Sequence, residues 1–392
     1  MNKKKASPAT LAVWAGEDEY LMQGATQVPV VHSVAYGYDD VDQWLRVALG
    51  QEPGHIYSRN TNPTVHAFEE KVRILEGADA ATSASTGMGI ISSLLFAFLS
   101  PGDRVVSVKD TYGGTNVIFT EFLPRFHIDV VLCDTTDHEA IESEVSKGCT
   151  ILYLESPTNP TVKIMDLNRL AQAGHQAGAL VVVDNTFATP INQNPLQLGA
   201  DLVLHSATKF LGGHADALGG VVCGSKSLVE QVYHFREING ATLHPMAAYL
   251  LLRGMKTLHL RIRQQNESAL KIARFLETHP SIERVFYPGL ESHENHSVAC
   301  RQMRGFGGVL SFILKGNDFD AVRKFLPRLR YAHSAANLGS VETIVGPPAT
   351  TSHVECTRAE REAMGIPESL IRYSVGVEDP EDLIADLEQA LG

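Results

Sequence analysis

Leu180-Val181-Val182-Val183-Asp184-Asn185 and, a little further on, Leu202-Val203-Leu204-His205-Ser206-Ala207-Thr208-Lys209 are built alike. Each is a run of apolar, largely β-branched residues that ends abruptly in polar ones. Neither run alternates between apolar and polar positions, which marks a strand buried on both faces. The same design recurs in Val105-Val106-Ser107-Val108, Val130-Val131-Leu132, Ile151-Leu152-Tyr153-Leu154 and Val221-Val222. Segments between the runs, such as residues 167–177, are long enough for crossover helices. An α/β fold follows, with a mostly parallel sheet flanked by helices, and in such a sheet ligands gather beyond the carboxyl ends of the strands.

Away from this block the pattern changes. Residues 1–60 hold turn formers and no strong period, and read as an extended arm; residues 61–245 form the large domain. After Pro245 a long helical stretch runs towards Thr278. The runs Val309-Leu310-Ser311-Phe312-Ile313-Leu314 and Leu370-Ile371-Arg372-Tyr373-Ser374-Val375, separated by helical segments, make residues 246–392 a smaller α+β domain. The closing segment, with Glu378, Asp379, Glu381, Asp382, Asp386 and Glu388 and no basic residue, reads as a solvated terminal helix.

Composition narrows the function classes. The 392 residues carry 33 Lys and Arg against 45 Asp and Glu, a net charge of −12, and 44% are hydrophobic. A sizeable core is expected, and an acidic chain does not offer the clustered cations that a nucleic acid requires. No apolar run reaches the ~20 residues of a membrane helix, since residues 90–99 are interrupted by Ser92 and Ser93 and read as a core helix. The basic start Met1-Asn2-Lys3-Lys4-Lys5 leads to Glu17, Asp18 and Glu19 rather than an apolar stretch, so no export is expected. Cys133, Cys149, Cys223, Cys300 and Cys356 are odd in number and form no C-x-x-C pair, which suits buried, inert thiols in a cytoplasmic protein.

The polar strand ends carry the chemistry. They are Asp184-Asn185, His205-Ser206-Ala207-Thr208-Lys209, Lys109-Asp110-Thr111-Tyr112 and Glu155-Ser156-Pro157-Thr158-Asn159-Pro160. Ser206 and Thr208, two apart in extended chain, offer two hydroxyls to an anion, with Lys209 beside them. Ser85-Thr86-Gly87-Met88-Gly89 opens the apolar helix, where free N–H groups and the helix dipole favour a phosphate. There is no full G-x-G-x-x-G and no G-K-[ST], so the phosphate belongs to something smaller than a dinucleotide. A Lys beside a phosphate cradle, an Asp at a neighbouring strand end and a Tyr at another form the constellation that pyridoxal 5′-phosphate needs. Lys209 would form the Schiff base, Asp184 would keep the pyridine nitrogen protonated, and Tyr112 would stack on the ring. Other candidates are plainer. His293-Glu294-Asn295-His296 lacks a third ligand of metal spacing and reads as a surface loop, so no metal is expected. His205 and His214 flank the Lys segment, and Gly212-Gly213 and Gly219-Gly220 permit a tight loop beneath the cofactor.

The strings Tyr57-Ser58-Arg59-Asn60-Thr61-Asn62-Pro63-Thr64, Glu155-Ser156-Pro157-Thr158-Asn159-Pro160, Val183-Asp184-Asn185-Thr186-Phe187, His205-Ser206-Ala207-Thr208-Lys209 and Arg372-Tyr373-Ser374-Val375-Gly376-Val377-Glu378-Asp379 resemble the Cys/Met-metabolism family of pyridoxal-phosphate enzymes. That family includes cystathionine γ-synthase, cystathionine γ-lyase, methionine γ-lyase and the O-acylhomoserine sulfhydrylases, and the likeness runs from about residue 10 to the end. The resemblance implies fold type I, an active dimer within a tetramer, and an amino-acid substrate. It implies that Tyr57 and Arg59 reach a neighbouring subunit's site and hold its phosphate beside Gly87, Met88, Ser206 and Thr208. It implies further that Asn159 contacts the cofactor hydroxyl, that Arg372 grips the substrate α-carboxylate, and that Tyr112 handles a proton.

Departures from the family bear on the substrate. Cystathionine-handling members carry Glu-Ser-Leu-Gly where this chain has Ala336-Asn337-Leu338-Gly339, which places Asn337 in the substrate loop. Methionine γ-lyases carry Tyr-Gly-Cys where this chain has Tyr112-Gly113-Gly114. Where those lyases have Lys-Asp, this chain has Arg236-Glu237, and Glu237 could meet a cationic distal group. The leading reading is γ-elimination or γ-replacement on an L-amino acid with a leaving group at Cγ, such as cystathionine, an O-acylhomoserine, methionine or a homoserine analogue such as canavanine. A lyase and a synthase or sulfhydrylase stay open within this chemistry. An aminotransferase on the same fold and a non-catalytic binding protein stand as alternatives.

Overall fold

A computed structural model of the chain describes residues 6–316, 318–354 and 356–392. The basic start at residues 1–5 lies outside the described residues. Seven strands form the first sheet: β1 (Ala80–Ala84), β2 (Arg104–Val108), β3 (Asp129–Cys133), β4 (Ile151–Glu155), β5 (Leu180–Asp184), β6 (Leu202–Ser206) and β7 (Gly220–Gly224). Their order is β1-β7-β6-β5-β4-β2-β3, and the neighbours from β6 to β3 are all parallel. The unbroken apolar runs are explained by the layers on either face. Val106, Leu152, Leu154, Val181 and Val183 pack with Leu167 and Leu170 on one side. Val105, Ile151, Tyr153, Val182 and Leu204 pack with Ile90, Leu94 and Leu95 on the other. Each such side chain contributes about 1.5–3 kcal/mol on leaving water.

The Val221-Val222 run departs from the parallel expectation: β7 is antiparallel to both β6 and β1. A parallel return needs a crossover of a dozen or more residues, usually helical. Residues 207–219 hold no helix, only turns, and they carry Lys209 instead. Strand β1, Ala-Ala-Thr-Ser-Ala, was invisible to pattern because its small residues have little strand preference.

The second sheet comprises β8 (Ile282–Phe286), β9 (Val309–Leu314), β10 (His333–Ser334), β11 (Ile344–Gly346) and β12 (Leu370–Ser374), in the order β10-β11-β12-β9-β8. The expected long helix between the sheets is two, Pro245–Met255 and Leu258–Thr278, parted at Lys256 and Thr257. The terminal helix Pro380–Leu391 is not solvated throughout. It buries Leu383, Leu387, Ala390 and Asp386, whose carboxylate accepts the backbone N–H groups of Arg330 and Tyr331 at 2.9 and 3.0 Å.

The N-terminal arm is only partly extended. Its first helix, Pro8–Trp14, is docked on its own subunit, because the fully buried Lys71 donates to Ala12 O and Glu17, and Glu17 also pairs with Lys256 at 2.8 Å. Its second helix, Val41–Ala48, is different: it leaves Val41, Trp44 and Leu45 exposed. The cysteines also divide. Cys133 and Cys223 are buried and Cys149 and Cys356 half-buried, but Cys300 is exposed on the helix His296–Gln302, so the expectation of five buried thiols fails there. His293 is not a free surface ligand either. It donates to Val162 O at 3.2 Å, and burial pushes its pKa down to about 4.

Candidate active site

The carboxyl ends of β4, β5 and β6 and the N-terminus of the helix Gly87–Phe98 meet around a cavity of about 230 Å³. Gly87, Met88, Tyr112, Asn159, Asp184, Ser206, Thr208, Lys209 and Arg372 all line it, as the sequence leads one to expect. Lys209 leaves β6 through a turn that is braced from behind. The buried Arg261 donates to Phe210 O at 2.7 Å and to Leu211 O at 3.1 Å. Gly213, at φ +71°, leaves room for that guanidinium; a Cβ there would lie 2.2 Å from Arg261 Nη1.

Two cations share the cavity and meet at one residue. Lys209 Nζ donates to Asn337 Oδ1 at 2.9 Å, and Arg372 donates to Asn337 O at 3.0 Å and to Asn159 Oδ1 at 2.9 Å. Asn337 therefore ties the two cations together, while its neighbours Ala336 and Leu338 form the wall. Burial, helped by the Arg372 charge, lowers the Lys209 pKa to about 8, and burial lowers that of Arg372 to about 10. Across the cavity, Asp184 stands in register with Glu155 on the adjacent strand. Desolvation is the main cause raising both carboxyls above their usual range. Asp184 Oδ1 accepts the Thr186 N–H at 3.0 Å.

These residues fit pyridoxal 5′-phosphate. The first N–H groups of a helix have no intrahelical acceptor, and those of Gly87 and Met88 lie beside Ser206 and Thr208. The cradle between helix and strand is kept open by glycine, since a Cβ on Gly87 would lie 2.8 Å from Ser206 Oγ. Lys209 Nζ, Asp184 and the Tyr112 ring complete a donor set that suits the amine-reactive, nitrogen and flat faces of one aromatic cofactor.

Tyr57, Arg59 and Glu237 are not brought to this cavity. Arg59 Nη1 donates to Glu237 O at 2.7 Å, Asn60 Nδ2 donates to the Glu237 carboxylate, and the buried Arg236 donates to Arg59 O at 2.8 Å. Arg236 and Glu237 thus clamp the segment that carries Tyr57 and Arg59 rather than facing their own chain's cavity. Sequence reasoning gave no role to Glu155, Arg261, Leu218, Thr351 or Ser352. Only Glu155 had a signal, a charge closing an otherwise apolar strand.

The chain is similar to known proteins over nearly its whole length. A family model described as Cys/Met metabolism PLP-dependent enzyme matches residues 9–392. An L-methionine gamma-lyase of Fusobacterium nucleatum subsp. polymorphum is 42% identical over 394 residues, covering 100% of this chain and 99% of the relative. A cystathionine gamma-lyase of Bacillus subtilis is 42% identical over 383 residues, covering 97% and 98%. Among solved structures, cystathionine gamma synthase from Xanthomonas oryzae pv. oryzae, in complex with aminoacrylate and cysteine, superposes with a TM-score of 0.93 at 38% identity, covering 98% of each chain.

Proposed function

The chain belongs to the Cys/Met-metabolism family of pyridoxal-phosphate-dependent enzymes, and from that premise we propose that it catalyses γ-elimination or γ-replacement on an L-amino acid bearing a leaving group at Cγ. The observation that carries this reading is the pairing of Lys209 and Arg372 through Asn337, opposite Asp184. An amino acid whose carboxylate lies on Arg372 brings its amine and Cα to Lys209 Nζ. When bound, the cofactor supplies the electron sink for carbanion character at the substrate carbons. Arg372 binds the carboxylate through charge-assisted hydrogen bonds and is itself oriented by Asn159 and Asn337. Lys209, kept partly neutral by burial, moves protons between substrate carbons. Tyr112 takes or gives the proton of the amine or leaving group, and Asp184 holds the proton at the ring nitrogen.

The distal wall, formed by Leu218, Ala336, Leu338 and Thr351, is uncharged. A charged γ-substituent therefore finds no partner there, and any charged reader comes from the clamped segment of a neighbouring subunit, with Arg59 and Glu237. The exposed apolar face of Val41–Ala48 supports such a shared site, in a dimer and, as in our reading of the family, a tetramer. The thiols of Cys133, Cys149, Cys223 and Cys300, which form no disulfide among the described residues, support a cytoplasmic location, and among the described residues no helix is long and apolar enough to cross a membrane. The lyase and synthase relatives do not favour the aminotransferase reading.

The test is an assay of purified enzyme against γ-substituted amino acids, with and without a thiol, following 2-oxobutyrate, homoserine and ammonia. Release of the γ-group from at least one substrate is expected. Conversion of the cofactor to pyridoxamine phosphate, with the intact keto acid as sole product, would replace this reading by transamination.

A further inference from the structure

Glu155, the last residue of β4, has no task in the reading above. It is 4% exposed and lines the cavity. It sits in register with Asp184 on β5, so two buried carboxylates stand side by side. Its Oε2 accepts the backbone N–H of Tyr112 at 2.9 Å, and its carboxylate also accepts the backbone N–H of Asn159. Among the described residues no cation pairs with it. Lys163 is engaged by Asp110 at 2.8 Å, and Arg372 by Asn159 and Asn337.

A buried carboxylate without a cation is costly, and a glutamine would tether one backbone group at lower cost. Burial and the neighbouring Asp184 raise the Glu155 pKa well above the usual carboxylate range, so its charged form has no partner within the protein at this corner, and a protonated ring nitrogen would supply one. The two N–H groups Glu155 holds belong to the residues placed against the face and the edge of the cofactor ring. The Tyr112 backbone is otherwise held by its carbonyl, which accepts the Asn116 N–H at 2.9 Å. It opens the short helix Gly113–Val117 with no side-chain cap, and Gly113 is pressed against Ser352 O, from which a Cβ would lie only 2.4 Å.

We propose that Glu155 is the positioning residue of this site, fixing Tyr112 on the ring face and Asn159 at the ring edge through their backbones, and reserving the corner beside Asp184 for a protonated ring nitrogen. This rests on the reading that Lys209 holds the cofactor between Tyr112 and Asp184.

Glu155→Gln retains length but replaces one acceptor oxygen with an NH2 donor, so one of the two N–H groups would face a donor; Glu155→Asp retains the carboxyl but falls one methylene short. Each variant is stripped of cofactor and reloaded with pyridoxal phosphate. Its Kd is measured by absorbance, the asymmetry of the bound ring by visible circular dichroism, and turnover on the wild-type substrate by kcat and KM. The Kd is expected to rise about 10-fold and kcat to fall about 10- to 100-fold, with KM moving less than about threefold because Arg372 is untouched. The visible dichroism is expected to weaken. Combined with Tyr112→Phe, the loss in kcat/KM should be smaller than the product of the single losses. An unchanged Kd and dichroism with multiplicative losses would overturn the proposal. If Glu155→Gln does not fold, Glu155→Asp decides on the same measurements; loss of fold in both assigns Glu155 a structural role only and also overturns it. Borohydride reduction of wild-type enzyme separates the two readings: cofactor on a lysine other than Lys209 refutes the underlying assignment, whatever the Glu155 variants do.

Discussion

The lowered pKa of Lys209 makes a quantitative prediction for the cofactor-free enzyme, with pH as the perturbation. Only the neutral amine attacks the aldehyde of pyridoxal phosphate, so the capture rate follows the neutral fraction of Lys209. With a pKa of about 8, about one-tenth of the amine is neutral at pH 7 and about nine-tenths at pH 9, a tenfold rise that levels off. An ordinary lysine would give about a hundredfold rise over the same interval and no plateau below pH 10. Stopped-flow absorbance at fixed cofactor concentration reads the rate, and Lys209→Ala supplies the blank. The same shift has a stability consequence. Because the folded-state value lies below the unfolded one, the folded apoenzyme carries the cost of burying the ammonium below pH 8, and that cost is relieved as pH rises from about 8 to 10.5. Lys209→Met removes the cost, so it should be more stable than the wild-type apoenzyme at pH 7 by about 1–3 kcal/mol, after discounting for partial exposure and for the lost bond to Asn337. The difference should shrink to near zero above pH 10.5. A capture rate that climbs without a plateau to pH 10, together with equal stabilities at pH 7, would refute the claim that the site holds its lysine near neutrality.

Three further outcomes follow from the geometry. Asp184→Asn should fold and retain cofactor, yet lose orders of magnitude in kcat, since the ring nitrogen is no longer held protonated; near-native kcat would place that role elsewhere. Arg372→Lys should lower kcat/KM by about 10- to 100-fold, because a point charge cannot keep Asn159, Asn337 and a substrate carboxylate on one planar fork; a loss below threefold would remove Arg372 from carboxylate binding. Mixing inactive Arg59→Ala with inactive Lys209→Ala subunits should restore up to about a quarter of wild-type activity, as one site of each mixed dimer holds both intact residues. No recovery after demonstrated subunit exchange would show that Arg59 does not serve a partner's site.

What could be read from the sequence follows from what each signal depends on. Runs such as residues 180–183 announce their burial by composition alone, so the central strands and the polar residues that end them were visible without coordinates. Strand β1 and the hairpin-like return of β7 were not, because small residues carry no strand signal and strand direction depends on what the connecting segment does. The polar residues that line the cavity were legible because the expected chemistry restricts such candidates to few residue types at strand ends. Arg261 was not, since nothing distinguishes it from the other cations of the helix Leu258–Thr278 until the carbonyls of Phe210 and Leu211 are seen to need a donor.

Glu237 does not line its own chain's cavity, and its contacts show what it holds instead. A carboxylate at that position suggested direct contact with a distal cation, but its charge is already shared with Asn60 and His234, and its own carbonyl is held by Arg59. Together with Arg236, whose guanidinium reaches Arg59 O and Thr82, it holds the arm segment against its own subunit. An arm fixed in this way loses little entropy when it docks on a neighbour. Where the resemblance puts a Lys-Asp pair in other members, Arg236 and Glu237 contact the segment of Tyr57 and Arg59 in this chain, and a change at that pair is expected to act first on the placement of that segment. In the proposed shared site, substrate discrimination at the distal end would then depend on which atoms that segment presents to a neighbouring subunit's copy of the uncharged wall formed here by Leu218, Ala336 and Thr351.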